Sequence, residues 1–131
     1  MDTSVVEACL IGSVNGTMAF PEIVGNLLAA GVERYTVDLV ALDHRAYGRD
    51  GKVHTVPLVL NAAGTVSEAF DGAGVQAAIR DAQQGRVKYP EFVTRVTAAG
   101  VATYTAYLTG RQVIYSGRLG DAHREPFPSQ P

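Results

Sequence analysis

The chain has 131 residues, of which 47% are hydrophobic and 18% charged, and its formal net charge is −2. These values predict a folded globular protein and argue against a disordered chain or a basic surface that binds nucleic acid. The single cysteine, Cys9, excludes an internal disulfide. Because the sequence also has no signal-peptide pattern and no long apolar run, we expect a cytoplasmic protein without a membrane segment.

The sequence repeats itself in two halves. Residues 5–58 align without a gap on residues 74–127, and 18 of the 54 aligned positions are identical. The identities include Pro, Glu, Tyr, Arg and His, which a bias toward Ala, Gly and Val does not produce. We therefore predict one domain, residues 1–131, made of two duplicated units, with a linker at 61–73 and a flexible tail at 128–131.

Each unit opens with two predicted helices. In the first helix, Val6, Cys9 and Leu10 have the spacing of one buried stripe, and Thr3 or Ser4 is the predicted N-cap. The second helix begins at the aromatic-Pro-Glu motif of residues 20–22 and 89–91, because Pro suits the first turn. It ends at the glycine of the repeated AAGV. The Glu of the motif is expected to stabilise the helix, because its negative charge lies near the positive end of the helix dipole.

Three strands follow in each unit. Tyr35, Val37 and Leu39 alternate with Thr36 and Asp38, which predicts a half-buried strand. Further strands are predicted at 44–48, 52–60, 112–116 and 121–126, with hairpin turns at GRDG (48–51) and GRLG (117–120). A proline at 57 and 126 places the end of the last strand of each unit either at a sheet edge or where the chain leaves the sheet, since no ladder donor is needed there. A unit of this size cannot cover its own apolar face. The predicted fold class is α+β: a duplicated helix-helix-β-meander unit, whose two copies form an antiparallel sheet with helices layered on it, related by a pseudo-twofold axis.

The motifs PE[IF]V…AAGV…Y and the ending GRLGDAHREPFP resemble the YbcV-like family of uncharacterised bacterial proteins. Members of that family often carry the label phage envelope protein. The resemblance extends over residues 5–128. It implies the duplicated α+β fold and an association with phage or prophage, and it brings no catalytic residues with it.

Two histidines, His54 and His123, occupy the same repeat position. If the pseudo-twofold axis brought them together, they could bind a metal, with Asp43, His44 or Asp121 as a further ligand. No HExxH or Cys/His spacing accompanies them. We therefore favour strand histidines that bond to their neighbours, and predict no metal and no cofactor.

Asp38 breaks the repeat, because the second unit has Tyr107 at the equivalent position. Either the outer face of the sheet is solvated, which we favour, or it holds a ligand that stacks on Tyr107 and donates to Asp38. Arg49 and Arg118 lie between glycines in equivalent turns, where they either bind an anion or form ordinary surface turns. We favour the surface turns.

The remaining candidate side chains have structural explanations. Tyr35 and Tyr104 are expected in the core with their hydroxyls at solvent, and Cys9 is expected to be a buried small hydrophobe. The leading hypothesis is thus a small binding or interaction protein without enzymatic activity, phage-associated and able to form homo-oligomers. The alternative is a ligand-binding enzyme or sensor with a site near Asp38, His54, Tyr107 and His123. A deep pocket that gathers the two histidines and Asp38 would favour the alternative.

Overall fold

The computed structural model describes residues 1–60 and 64–128. The first half contains α1 (Thr3–Val14), α2 (Phe20–Ala29), β1 (Val32–Asp38), β2 (Asp43–Gly48) and β3 (Val53–Pro57). The second half contains α3 (Gly72–Gln83), α4 (Tyr89–Ala98), β4 (Val101–Tyr107), β5 (Gln112–Gly117) and β6 (Ala122–Pro126). Each element of the second half begins and ends 69 positions after its counterpart (72 − 3 = 69 for the first helix), which is the offset of the sequence repeat.

The six strands form one antiparallel sheet in the order β3-β2-β1-β4-β5-β6. The first strands of the two halves, β1 and β4, pair at its centre, with Thr36 opposite Thr105. These two threonines are equivalent in the repeat, and their Oγ1 atoms lie 2.8 Å apart. The pseudo-twofold axis therefore passes between them, and the predicted α+β fold of two antiparallel meanders with layered helices is confirmed.

The helices pack on one face of this sheet, and the buried side chains of both halves form one core cluster. Strand alternation explains which residues face the helices. Tyr35, Val37 and Ala46 point to the helix layer, while Thr36 and Arg45 lie on the outer face. Because each half contributes one wall of the same interior, neither half encloses the core by itself.

The helix starts differ from the predictions at two places. Asp2, and not Thr3 or Ser4, caps α1, and its Oδ1 accepts hydrogen bonds from the amides of Ser4 and Val5 at 3.1 and 3.4 Å. Asp71 caps α3 and accepts from the Gly74 amide at 3.0 Å. As a result, α3 begins at Gly72, inside the stretch predicted as linker. A carboxylate two or three residues before a free helical amide satisfies that amide, so the cap fixes the start.

The predicted stops and edges are confirmed. Gly31 and Gly100 follow the ends of α2 and α4 with φ of 92° and 99°, a conformation that favours glycine. Pro57 and Pro126 end β3 and β6, the two edge strands of the sheet. Residues 61–63 of the predicted linker and 129–131 of the predicted tail lie outside the described residues. Among the helices of the described ranges, none is long and apolar enough to cross a membrane.

Candidate ligand-binding cavity

The residues that the sequence singled out on the outer face lie apart. Asp38 ends β1, and its Oδ1 accepts from the amides of Val40 and Ala41 at 2.9 and 2.8 Å, which closes the turn to β2. Tyr107 ends β4 on the same face and is 36% exposed. Because Asp38 pairs in register with Thr103, Tyr107 lies four positions further along β4, or about 13 Å away.

The two histidines lie at opposite edges of the sheet. His54 is on β3 and His123 is on β6, five strand spacings apart, which is about 24 Å. Each is paired within its own half: His54 Nε2 lies 3.1 Å from Glu7 Oε1, and His123 Nε2 lies 3.3 Å from Glu125 Oε1. Within residues 1–60 and 64–128, no group of three or more His, Cys, Asp or Glu side chains could hold a metal ion.

The two turn arginines donate to backbone carbonyls. Arg49 Nη2 lies 3.3 Å from the carbonyl oxygen of Leu28, and Arg118 Nη1 lies 3.3 Å from that of Val66. Both contacts tie a hairpin turn to a neighbouring segment. The six site residues predicted from the sequence therefore do not form one site, and none of them lines the cavity of the protein: Asp38, Arg49, His54, Tyr107, Arg118 and His123.

A cavity of about 650 Å³ lies between the helix layer and the inner face of the sheet. Its deep part is lined by buried residues of both halves, among them Cys9, Leu10 and Ala106. The exposed lining residues come from three segments: 16–22 in the loop from α1 to α2 and the first turn of α2, 83–88 from the end of α3 to the start of α4, and 126–128 from the end of β6 onward. The cavity therefore opens where the two helix-helix loops meet the C-terminal segment.

Four aromatic side chains of the second half form what we call the aromatic wall of the cavity: Tyr89, Phe92, Tyr104 and Tyr115. The ring centroids of Tyr104 and Tyr115 lie 5.5 Å apart, those of Phe92 and Tyr115 lie 6.3 Å apart, and those of Tyr89 and Phe92 lie 6.4 Å apart. The hydroxyls of Tyr89 and Tyr104 are hydrogen-bonded to each other. The wall thus presents adjoining ring faces and edges with hydroxyl groups between them.

The expectation that the hydroxyls of Tyr35 and Tyr104 reach solvent is wrong, because both residues are buried between the layers. Burial raises the pKa of both phenols, and that of Tyr115, far above the ordinary value. Burial also raises the pKa of Tyr89 to about 12, against a smaller lowering by its bond to Tyr104. All four hydroxyls therefore stay neutral at physiological pH and can donate or accept hydrogen bonds.

His44 is a neutral imidazole in the lining of the cavity. It lies on β2, is 5% exposed, and stacks on Tyr35 with ring centroids 4.8 Å apart and planes 20° apart. Burial lowers its pKa to about 4, since a low-dielectric surrounding disfavours the charged ring. Its Nδ1 is buried and has no hydrogen-bond partner in the part of the chain that the structure describes. Burial of a polar atom without a partner is costly, and this nitrogen is also closed off from the cavity, because less than 1 Å² of its surface is accessible.

Glu125 on β6 is the buried carboxylate of the cavity lining, with 9% of its surface exposed. Its Oε2 accepts from Arg80 Nη1 at 2.8 Å, and its Oε1 lies 3.3 Å from His123 Nε2. These two partners come from α3 and from β6 itself. They offset the cost of burying the charge and hold the carboxylate in place.

Comparison with known proteins assigns the chain to a family. A family model described as Protein of unknown function (DUF1398) matches residues 8–122. The chain belongs to the DUF1398 family. No curated protein matches it. The matched span of this DUF1398 protein contains both helix pairs and five of the six strands, apart from the first residues of α1, and it ends before Glu125.

Three polar side chains of the cavity, His44, Tyr115 and Glu125, occupy positions where the two halves of this DUF1398 protein differ. Each has an aliphatic counterpart 69 positions away, in the pairs His44/Val113, Tyr115/Ala46 and Glu125/Val56. Sequence reasoning looked for such differences on the outer face, where it found Asp38 and Tyr107. The same comparison on the inward-facing strand positions would have singled out these three residues. Where one half buries an aliphatic side chain, a polar side chain at the equivalent position of the other half is not needed for packing and is costly to bury.

Proposed function

We propose that the protein binds a small molecule in the cavity between its helices and its sheet. The observation that carries this proposal is the cavity itself. A volume of about 650 Å³ is within the range of roughly 300–1,000 Å³ that is typical of sites for drug-sized ligands. Its lining has the composition of such sites, since apolar and aromatic side chains surround a few fixed polar groups.

The polar groups support a binding role over a packing defect. Protein interiors are close-packed, and voids larger than a water molecule are few and destabilising. A ligand that fills the cavity and bonds to the hydroxyls of Tyr35 or Tyr115 in its lining would remove the cost of the space.

The charges of the lining argue against an anionic ligand. Among the described residues that line the cavity, Lys88 is the only Lys or Arg, and it is exposed at the mouth. The buried carboxylate of Glu125 would repel an anion at short range, where the low dielectric strengthens the repulsion. The ligand class that fits is therefore neutral or cationic.

Two finer predictions from the sequence stay predictions. One is the phage association that the YbcV-like resemblance implies, together with an interaction role in a homo-oligomer. The other is the alternative site near Asp38, His54, Tyr107 and His123, which has weaker support because these residues do not line the cavity. Neither excludes the binding of a small molecule between the layers.

The proposal is tested with phenylnaphthylamine, an uncharged dye that fluoresces in apolar surroundings. The intact protein should bind it saturably at one site. Ala106→Phe should abolish binding, because Ala106 lines the cavity and a phenyl ring there would occupy it. Ile114→Phe is the matched control, since Ile114 pairs with Thr105 on the outer face of the same sheet and should leave binding unchanged.

Circular dichroism of each variant shows whether the fold is kept. If Ala106→Phe does not fold, Ala82→Phe takes its place, because Ala82 lines the cavity from α3 and is only partly buried. The absence of saturable binding to the intact protein, or equal binding by the cavity-filled variants, would contradict the proposed function.

A further inference from the structure

Two rings of the aromatic wall and Glu125 have no equivalent in the first half, whereas Tyr104 and Tyr89 of the wall correspond to the aromatic Tyr35 and Phe20. Phe92, Tyr115 and Glu125 correspond to Ile23, Ala46 and Val56, which are all aliphatic. The two halves have otherwise kept the same elements, with every boundary shifted by 69 positions. The second half thus has two further aromatic rings and a carboxylate in the lining of the cavity.

Resting on the proposed function, we infer that the cavity takes an organic ammonium ion, either a quaternary ammonium or a protonated amine. The rings of the aromatic wall would surround the cation, and the carboxylate of Glu125 would supply the opposite charge. A cation is attracted to an aromatic face when it lies within about 6 Å of the ring centroid, and several adjoining rings add their attraction. The neighbouring centroids of the wall, 5.5 to 6.4 Å apart, allow one cation to contact more than one ring.

The charge of Glu125 reaches the cavity despite its ion pair. The Arg80 side chain is 45% exposed, whereas that of Glu125 is 11% exposed. Water therefore screens the guanidinium more strongly than the carboxylate. Arg80 also does not line the cavity. Burial, and after it the charge of Glu125, raises the pKa of the Tyr115 phenol, which agrees with a negative potential at the aromatic wall.

Glu125 keeps the capacity to bind a ligand. Each carboxylate oxygen has one partner among the described residues, Arg80 for Oε2 and His123 for Oε1. A carboxylate offers about four acceptor positions, so each oxygen can accept a further hydrogen bond from a protonated amine. A quaternary ammonium has no N–H to donate, and it would depend on the rings and on the charge alone.

The test compares two molecules of the same shape by NMR titration of the full chain. One is choline, and the other is dimethylbutanol, the uncharged alcohol that carries a tert-butyl group where choline has trimethylammonium. The proposal predicts that choline binds at least about tenfold more tightly, because cation–π attraction in a desolvated site acts on the charged ligand only. Shift changes should be concentrated at the residues of the aromatic wall.

Variants assign the preference to its source. Glu125→Gln keeps the shape of the side chain and should weaken choline binding at least about fivefold while leaving dimethylbutanol unchanged. Glu7→Gln is the matched control, because Glu7 pairs with His54 at the other edge of the sheet and does not line the cavity. If Glu125→Gln fails to fold, Phe92→Leu should reduce the ratio of the two affinities, since it removes one ring and keeps the apolar contact.

The outcomes separate this inference from the proposed function. Equal affinity for the two molecules, tighter binding of dimethylbutanol, or no binding of choline would overturn the ammonium ligand. In each case, saturable binding of phenylnaphthylamine that is lost in Ala106→Phe would still support a small-molecule site. Loss of the dye result as well would overturn both.

Discussion

The buried imidazole of His44 makes a definite prediction about stability and pH. Its pKa is lowered by burial from an ordinary value of 6.5 to about 4, and the residue is 5% exposed, so solvent screening is small. A difference of about 2.5 pKa units (6.5 − 4) corresponds to about 3 kcal/mol of unfolding free energy. Between pH 6.5 and pH 4 the unfolded chain binds a proton that the folded chain does not. This contribution is therefore fully present above pH 6.5 and is lost as the pH falls to 4.

The perturbation is His44→Val, which introduces the residue found at the equivalent position of the second half, Val113. The assay is urea denaturation of both proteins at a series of pH values from about 8 to 4. The difference in unfolding free energy between wild type and variant should shift by about 3 kcal/mol in favour of the variant across this range. The titration of carboxylates is common to both proteins and cancels in the difference.

His54→Gln controls for the loss of a histidine, because the His54 side chain is 27% exposed at the sheet edge. A difference between wild type and His44→Val that stays constant from pH 8 to pH 4 would refute the reasoning. So would an NMR titration in which the His44 ring protonates near its ordinary pKa in the folded protein.

Two further predictions concern the duplicated framework. Gly100→Ala should lower the unfolding free energy by about 3 kcal/mol or more, because φ is 99° and the added Cβ would lie 2.4 Å from the backbone oxygen of Ala69. The control is Gly85→Ala, where φ is 73° but the space is open, so the loss should be only about 1–2 kcal/mol. Equal losses in thermal denaturation would contradict the steric argument. At the pseudo-twofold axis, Thr36→Val should cost about 1 kcal/mol by leaving the hydroxyl of Thr105 without its partner, whereas the double Thr→Val variant should recover most of that loss. Strictly additive losses in urea denaturation would argue against a bond between the two hydroxyls.

Much of the framework could be predicted because its signals are local. The aromatic-Pro-Glu motif starts α2 and α4, and the glycine of AAGV ends them, since each acts through the φ angle or the amide of a neighbouring residue. The prolines at 57 and 126 mark edge strands for the same reason. The N-cap at Asp2 was missed because Thr3 and Ser4 are equally good caps, and only the backbone angles choose among adjacent candidates.

The candidate site could not be predicted in the same way. The sequence singled out four residues by their positions in the repeat: Asp38, His54, Tyr107 and His123. The distances between these residues, however, depend on the order of the strands and on the face of the sheet to which each side chain belongs. With β1 and β4 at the centre, equivalent residues on β3 and β6 are driven to opposite edges. Among the polar residues of the cavity, His44 was predicted only as a possible further metal ligand, and no motif pointed to Glu125.

The sequence by itself determined that two equivalent units exist, which helices and strands each contains and in what order, and that the units must share an interior. Short-range signals and a repeated apolar pattern carry this information. Only the tertiary structure decided that the helices leave a space of about 650 Å³ over the inner face of the sheet. The size of that space depends on how side chains from both halves pack against one another. No residue specifies it alone, and so His44, Tyr115 and Glu125 become a site only when the two halves meet.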